Sequence, residues 1–227
     1  MQIKQKLDYP IWKTPYFCIV GLFVFVKLVK AGALTLLINK QFFNKKINLT
    51  LKFFNLIFYR ENKEEIGKKL LSCLIDLGPG YIKFGQALST RPDLVDKKTC
   101  QYLKKLQDDI EPFSSSIAKK IIETESQNLI DNIFSSFDEK PIANASVAQV
   151  HTAILKSGET VAVKLLKPNI RRKLFNDFIF FYWASKCLEI AIPSIKRLKL
   201  SKNVEVLSEV SLNELDLTLE ASAAEEL

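Results

Sequence analysis

The chain has 227 residues, 48% of them hydrophobic and 26% charged, enough for one large domain or for a domain with an extension. Its four cysteines stand far apart, which argues against a disulfide framework and a zinc site and fits a reducing compartment. The net charge of +8 is concentrated at one end, because residues 1–60 contain ten lysine and arginine residues and a single acid, Asp8. This imbalance favours an anionic partner, either lipid or nucleic acid.

The apolar residues around these charges favour lipid. An uninterrupted apolar run covers only the 11 residues 16–26, whereas a helix that spans a bilayer needs about 20. Lys27 and Lys30 follow this run, and a helix in the bilayer interface tolerates them because their side chains reach the headgroups. Residues 49–59 repeat the mixture of Phe, Leu and Lys.

We therefore expect residues 1–60 to form basic, Phe-rich helices that attach peripherally to a membrane surface. A distorted single span and ordinary core helices are the alternatives that the pattern leaves open. No small-residue cleavage site follows the run, so a cleaved signal peptide is not expected. Nucleic acid is not an expected partner, because no nucleic-acid-reading motif accompanies the charge.

Residues 61–140 are predicted to form a helical extension. The helical pattern from Glu61 to about Leu106 is broken at residues 77–80 (LGPG) and again at residues 91–93 (RPD). Three serines, residues 114–116, can cap a further helix over residues 117–124. Residues 137–141 are interpreted as a connection.

Beyond residue 141 the period changes from helix to strand. Residues 148–155 and 160–166 are short, apolar and β-branched, and the turn between them contains Gly158, which can supply a positive φ. In the second strand alternate side chains face opposite ways: Val161, Val163 and Leu165 on one side, and Ala162, Lys164 and Leu166 on the other. The only histidine, His151, is interpreted as a packed or surface residue of the first of these strands.

Two helical segments complete the prediction. Residues 171–192 form a long apolar helix ended by Pro193, and residues 203–227 form an amphipathic stretch. If that stretch is one helix, Asp216 and Glu220 share a face and Glu214 points elsewhere.

Lys164 and the alanine two residues before it match the V-A-x-K pattern of a kinase strand. In that pattern the alanine leaves room for adenine, and the ammonium reaches the α- and β-phosphates. Small residues, in the segment PIANAS (residues 141–146), stand where a glycine-rich phosphate loop would precede the strand. Small side chains let backbone N–H groups approach phosphates.

Three blocks in this order resemble the UbiB/AarF-domain (ADCK-type) family of atypical kinases, in its amino-terminal portion only. Residues 77–95 (LGPGYIKFGQALSTRPDLV) resemble the family's K-x-G-Q region. Residues 141–170 resemble its alanine-rich loop and first hairpin, through PIANASVAQVHTAIL, GETVAVK and KPNI. Residues 214–221 (ELDLTLEA) resemble its E-x-D motif and the glutamate of kinase helix αC.

The resemblance implies an α+β fold. Interfacial helices (residues 1–60) and a helical K-x-G-Q extension (residues 61–140) would precede a truncated kinase-like small lobe (residues 141–227). That lobe has an antiparallel sheet and helix αC, and the carboxy-terminal lobe is expected to be absent from this chain.

The same resemblance implies roles for individual residues. Lys164 and Glu220 would form the catalytic lysine–glutamate pair of the small lobe. The regulatory residues, with Lys83 lying over the nucleotide pocket and pairing with Glu214, would be Lys83, Gly85, Gln86, Glu214 and Asp216. The nucleotide-binding residues would be Ala143, Asn144, Ala145, Ser146, Ala162 and Lys164. Asn144 stands where the family usually has another alanine.

As for ligands and location, the resemblance implies ATP or ADP, bound weakly or with the help of a partner. It also implies a role in ubiquinone (coenzyme Q) biosynthesis, with proteins of that pathway as partners. The expected location is peripheral, on the cytoplasmic face of a bacterial inner membrane or on the equivalent organelle membrane.

Neither an Asp-Phe-Gly segment nor a His-x-Asp followed by an asparagine occurs in the 227 residues. We therefore expect no metal site in this chain, Mg²⁺ binding only with a separately encoded carboxy-terminal lobe, and no phosphoryl transfer by this polypeptide alone. The alternative is a non-enzymatic, membrane-associated interaction module.

Overall fold

The computed structural model describes residues 13–38, 45–58, 65–107 and 111–225. The chain divides into two compact units. The helical unit comprises residues 1–106 and 171–214, and the sheet unit comprises residues 107–170 and 215–227. These boundaries differ from the predicted divisions at residues 60 and 140, because each unit draws on two separate stretches of the chain. The predicted basic residues within 1–12, 39–44 and 59–64 lie outside the described residues.

The helical unit consists of helices joined by short connections. Its helices are α1 (Thr14–Lys30), α2 (Ala33–Leu37), α3 (Lys45–Phe58), α4 (Ile66–Leu77), α5 (Pro79–Ser89), α6 (Lys97–Lys104), α9 (Ile170–Ala191, from residue 171 onward) and α10 (Leu200–Asn213). In the described ranges of the chain, no helix combines the length and the apolar character needed to cross a membrane.

Local sequence explains the two predicted helix breaks, which are both confirmed. Gly78 separates α4 from α5 with a φ of +119°, a conformation that residues with a Cβ rarely adopt. Pro79 then occupies the first position of α5, where its fixed φ suits a helix start. Residues 90–94 form turns after α5. Asp96 then caps α6, because its side chain accepts a hydrogen bond from the Thr99 N–H at 2.9 Å.

Aromatic side chains join helices α1 and α9 of the helical unit. Phe17 of α1 is buried, and its ring centroid lies 5.5 Å from that of Trp183 and 6.1 Å from that of Phe180, both on α9. Gly21, one turn after Phe17, faces the same two rings without a side chain of its own. Such aromatic contacts stabilise a packed interface beyond the area they bury.

The sheet unit contains a four-stranded antiparallel sheet, so the predicted α+β class with a small antiparallel sheet is confirmed. Its strands are β1 (Phe134–Phe137), β2 (Ala143–Asn144), β3 (Ala148–Leu155) and β4 (Thr160–Leu166). The central strand β3 pairs along one edge with β4. Along its other edge, the first half of β3 pairs with β2 and the last residues of β3 pair with β1. The unit's helices are α7 (Ser115–Ser126), α8 (Ile130–Ile133) and α11 (Leu217–Glu225).

The predicted hairpin is present, with its turn at the expected place. Gly158 has a φ of +94°, and its N–H donates to the Leu155 carbonyl oxygen at 3.0 Å. The predicted alternation of side chains in β4 is also confirmed. Val161, Val163 and Leu165 pack in the core that the sheet forms with α7, and that core includes Ala118, Ile122 and Phe134.

Two predicted elements differ from the structure. The segment assigned to a helical extension and a connection contains β1, whose four residues lack an alternating apolar pattern and depend on pairing with β3. The stretch from residue 203 to residue 227 is not one helix, because α10 ends at Asn213 and α11 begins at Leu217. Between them Leu215 is buried and 2% exposed. The next residue, Asp216, bonds through its side chain to the Thr218 backbone N–H, which favours the start of a new helix over a continuous one.

Candidate functional site

The first candidate site lies in the sheet unit and is centred on Lys164. The Lys164 Nζ atom lies 2.5 Å from Oε1 and 2.6 Å from Oε2 of Glu220 on α11. The expected ion pair is therefore present, and the ammonium faces both carboxylate oxygens. The two side chains are 36% and 56% exposed, so solvent screens this pair and it adds little to stability.

Strand register places Lys164 on the sheet face opposite the α7 core. Val150 of β3 is directly across from Lys164, and Ala143 of β2 is directly across from Val150. Directly opposed residues of antiparallel strands share a face, so the side chains of Ala143, Val150 and Lys164 lie on one side of the sheet. Ala162 lies on that side too, is exposed, and leaves the surface beside Lys164 without a bulky side chain.

Asn144 lies on the other face. It pairs with Gln149, which pairs with Leu165 in the core, so its side chain points away from the side that carries Lys164. Both polar atoms of its amide are buried and have no hydrogen-bond partner in the structure. Any contact of Asn144 with a ligand beside Lys164 would have to come from its backbone. Ala145 is exposed and Ser146 is buried, at 5% exposure.

The second candidate site lies in the helical unit. Lys83 of α5 is buried, and its Nζ atom forms an ion pair with Oε2 of Glu214, the residue that follows α10. The lysine side chain is 9% exposed and the glutamate side chain 44% exposed. The expected pairing of these two residues is present, although their regulatory role remains a prediction.

Gly85 and Gln86 fasten the same helix to its neighbours. A Cβ added at Gly85 would lie 2.4 Å from Leu106 Cδ1 and 2.7 Å from Leu74 Cδ1, so a larger residue has no room there. The Gln86 side-chain amide donates to the Leu106 carbonyl oxygen at 2.8 Å. Glycine and glutamine of K-x-G-Q therefore act structurally in this unit, by close packing and by a hydrogen bond.

Asp216 does not lie on one helix with Glu220 as predicted. Its carboxylate accepts hydrogen bonds from the Thr218 N–H at 3.2 Å and from the Thr218 hydroxyl at 2.5 Å, which is the arrangement of a cap before α11. Asp216 therefore lies before α11 and not on the helix face that carries Glu220, so the predicted arrangement of two acids on one helix face does not form. This cap helps to begin the helix that carries Glu220.

A buried polar chain was not anticipated from the sequence. Gln149 and His151 of β3 are both 0% exposed, and their side chains meet at 2.8 Å. The His151 Nδ1 atom is 2.8 Å from the Asp138 carbonyl oxygen, which can only accept, so Nδ1 carries the proton and Nε2 accepts from Gln149. The Gln149 Oε1 atom accepts from the Phe113 N–H at 3.0 Å. The sequence left His151 as a packed or a surface residue of its strand, and the structure shows it packed. His151 links β3 to Asp138, and Gln149 links β3 to Phe113.

Chemically, the Lys164 face offers one ammonium held by a carboxylate, beside a small, open patch of strand. Such an arrangement suits an anionic ligand with a flat apolar part, since the amine can contact phosphate while the patch accepts a ring. Within the described ranges no group of three or more histidine, cysteine or acidic residues is arranged to hold a metal ion.

Comparison with known proteins extends these observations. Residues 105–227, more than half of the chain, match the ABC1 atypical kinase-like domain. A protein named "Probable protein kinase UbiB" from Aliivibrio fischeri is 42% identical over 175 residues, which cover 75% of this chain and 32% of that protein. Proteins of the same name are 42% identical over 169 residues in Shewanella woodyi and 40% identical over 175 residues in Shewanella halifaxensis. These matches cover 74% and 75% of this chain and 31% and 32% of the respective relatives.

The chain thus spans about a third of the length of the curated relatives it matches. The matched domain contains the antiparallel sheet and the Lys164–Glu220 pair, and the 42% identity to UbiB proteins is far above what a shared fold alone would give. This chain belongs to the ABC1 atypical kinase-like family and is similar to the amino-terminal portion of its UbiB members.

Proposed function

We propose that this chain forms the nucleotide-binding small lobe and the K-x-G-Q portion of a UbiB-type atypical kinase or ATPase that supports ubiquinone biosynthesis. The observation that carries the proposal is the contact of the Lys164 ammonium with both carboxylate oxygens of Glu220. In kinases a strand lysine held by a glutamate in this way binds the α- and β-phosphates of the nucleotide.

The surface beside Lys164 supports the same proposal. Ala162 and Lys164 are two residues apart on one strand, which separates them by about 7 Å along one face of the sheet. An adenine ring over the exposed Ala162 would leave its phosphates within reach of the Lys164 amine. Residues 143–146, which comprise β2 and the two residues after it, would contribute further backbone contacts to phosphate, apart from the Ala145 N–H, which already donates to the Ala148 carbonyl oxygen at 2.8 Å.

Phosphoryl transfer also depends on Mg²⁺, which neutralises charge on the phosphates when it is bound. In this proposal its ligands belong to a carboxy-terminal lobe, supplied by a longer form of the chain or by a separately encoded partner. The residues described here bind and orient the nucleotide.

The first prediction concerns nucleotide affinity. We expect the 227-residue chain to bind a fluorescent ADP analogue weakly, and Lys164→Ala to weaken that binding roughly 10- to 100-fold, because a hydrogen bond to a charged group contributes about 1.5–3 kcal/mol. The matched control is Lys156→Ala in the exposed hairpin turn, which should bind as the wild type does. Equal affinities of the two variants in fluorescence titrations would contradict the proposal.

We further propose that the helical unit attaches to an anionic membrane surface. Helix α1 exposes large apolar side chains over most of its length: Tyr16, Ile19, Leu22, Phe23, Phe25 and Val26. Helix α3 exposes Leu49, Phe53 and Phe54 and begins with Lys45 and Lys46. The Lys27 Nζ atom lies 5.0 Å from the Phe23 ring centroid, so cationic and aromatic groups are adjacent on α1. Exposed aromatics beside lysines are typical of helices that lie in the headgroup region.

The second prediction is that the chain co-sediments with vesicles containing anionic phospholipid. Replacing Lys27, Lys30, Lys45 and Lys46 with Gln should weaken this binding by up to about 1 kcal/mol per charge, roughly fivefold for each. A variant with Gln at four exposed lysines elsewhere, namely Lys97, Lys104, Lys120 and Lys156, controls for net charge.

Equal sedimentation of the two quadruple variants would contradict attachment through α1 and α3. Vesicle binding together with no detectable nucleotide binding would instead favour a non-enzymatic interaction module.

A further inference from the structure

Helix α5, which carries the K-x-G-Q residues, begins without a cap of its own. Gly78 occupies the cap position and has no side chain to accept a hydrogen bond, and Pro79 has no N–H. The first N–H group of the helix therefore belongs to Gly80. This group donates to Oδ2 of Asp177 at 2.9 Å, so the cap comes from α9, 97 residues further along the chain.

The two glycines of the segment L-G-P-G make room for the Asp177 carboxylate. A Cβ added at Gly80 would lie only 2.4 Å from the Asp177 Cβ and 2.8 Å from its Oδ2, so only glycine allows the carboxylate to come this close. Gly78 lies beside the same oxygen, at 3.8 Å from its own added Cβ position. The segment L-G-P-G thus serves to admit Asp177 as well as to interrupt the helix.

The position of this contact bears on Lys83. Lys83 lies three residues after Gly80, within the first turn and a half of α5, and its ammonium pairs with Glu214 at the end of α10. Two carboxylates, one following α10 and one on α9, therefore hold the amino-terminal half of α5. A shift of the first turn would move the Lys83 backbone away from the place where the side chain meets Glu214.

The surroundings of Asp177 make this anchor sensitive to protonation. Burial raises the pKa of the Asp177 carboxyl from 3.8 to about 6, against the opposing effects of the Gly80 N–H and of Lys173 on the same helix. Tyr81 of α5 faces it and is itself buried, and its pKa is raised by that burial first and then by the Asp177 charge. Among the residues that the structure describes, Lys173 is the one charged group that shifts the pKa of Asp177.

The sign of the effect follows from linkage. The pKa of Asp177 is higher in the folded state, so bound protons favour the anchored state. This stabilisation is complete below about pH 4 and is lost as the pH rises through about 6. A shift from 3.8 to about 6 corresponds to a change of roughly a hundredfold in the local opening equilibrium.

We propose that Asp177 is a positioning residue for Lys83: it caps the first turn of α5 from α9 and thereby keeps Lys83 opposite Glu214. The meaning of Lys83 for nucleotide binding rests on the proposed function, whereas the anchor itself does not.

The test is hydrogen–deuterium exchange of the α5 amides in the full 227-residue chain, read at residues 80–84. Asp177→Ala removes the acceptor, and Gly80→Ala pushes it away from the other side. Each should speed exchange at these amides about tenfold or more at pH 7.5, while the amides of β3 in the sheet unit keep their wild-type rates.

Asp177→Asn separates positioning from simple packing, because its amide oxygen still accepts from Gly80 but carries no charge. The ratio of wild-type to Asp177→Asn protection should rise roughly tenfold between pH 7.5 and pH 5. A constant ratio, or wild-type protection in Asp177→Ala at pH 7.5, would overturn the proposal.

The exchange measurement is independent of nucleotide binding, so the two proposals can fail separately. Loss of α5 protection in Asp177→Ala, in a chain that binds no nucleotide, would sustain the anchor and reject the proposed function. If nucleotide binding depends on Lys164 but α5 protection is unchanged in Asp177→Ala, the proposed function is sustained and the anchor is rejected.

Discussion

Replacing His151 with Leu is expected to lower the free energy of unfolding of the sheet unit by about 2–5 kcal/mol. The ring is fully buried, donates to the carbonyl oxygen of the exposed residue Asp138 and accepts from the buried Gln149 amide, which keeps only a 3.4 Å contact with the Phe113 carbonyl oxygen when the ring is removed. Loss of the buried bond to Gln149 costs about 1–3 kcal/mol, and loss of the bond to Asp138 costs about 0.5–1.5 kcal/mol. The variant also loses the stacked contact with Phe137, whose ring centroid lies 4.8 Å away.

The measurement is urea unfolding followed by circular dichroism, with exchange of the β3 amides assigning the change to the sheet unit. Gln149→Leu and the double variant complete a mutant cycle. Because the hydrogen bond between Gln149 and His151 can be lost only once, the double variant should cost less than the sum of the two single changes. A loss below about 0.5 kcal/mol for His151→Leu, the range of ordinary surface changes, would show that the chain of hydrogen bonds does not stabilise the unit.

The second large effect is an asymmetry between the partners of the Lys83–Glu214 pair. Lys83 is buried whereas Glu214 is partly exposed, so the two single variants leave very different groups behind. Glu214→Ala leaves a buried ammonium without its counter-charge and is expected to cost about 2–3 kcal/mol, somewhat below the range for fully buried pairs. Lys83→Met keeps an apolar chain of similar length and leaves a carboxylate that water can reach, so its cost should stay within about 1 kcal/mol.

The double variant Lys83→Met, Glu214→Ala should resemble Lys83→Met alone, because no unpaired buried charge remains. Glu205→Ala provides the matched control on α10. It breaks the exposed pair with Lys202 and should change stability by less than about 0.5 kcal/mol. Equal costs for Glu214→Ala and Lys83→Met in urea titrations of the full chain would show that burial of Lys83 does not govern the pair.

Several features of the chain follow from short-range sequence patterns. The strands β3 and β4 and the turn between them follow from alternating apolar residues and from Gly158, since strand period and turn conformation depend on neighbouring residues only. The break between α4 and α5 follows in the same way from Gly78 and Pro79. The pairing of Lys164 with Glu220 was expected from the resemblance to a kinase small lobe, not from local pattern, and the structure contains it.

Other features depend on residues that meet only after folding. Strand β1 is only four residues long and gains its hydrogen bonds from β3, so no periodicity marks it. The chain turns between α10 and α11, where Leu215 is buried and Asp216 caps the next helix, although the amphipathic pattern continues across the turn. Asn144 lies on the face away from Lys164 because the register of β2 against β3 decides the face, and register is a property of the pair of strands.

The resemblance to the atypical kinase family gave the α+β class of the fold. The sequence by itself determined the hairpin that carries Lys164 and the helix break before the K-x-G-Q residues. These depend on backbone conformation and on the period of apolar side chains, both of which are local. Only the tertiary structure decided that Asp177 caps α5 and that Lys83 is the buried partner of its ion pair. A hydrogen bond across 97 residues and the burial of one charge depend on how separate helices pack, which no local pattern encodes.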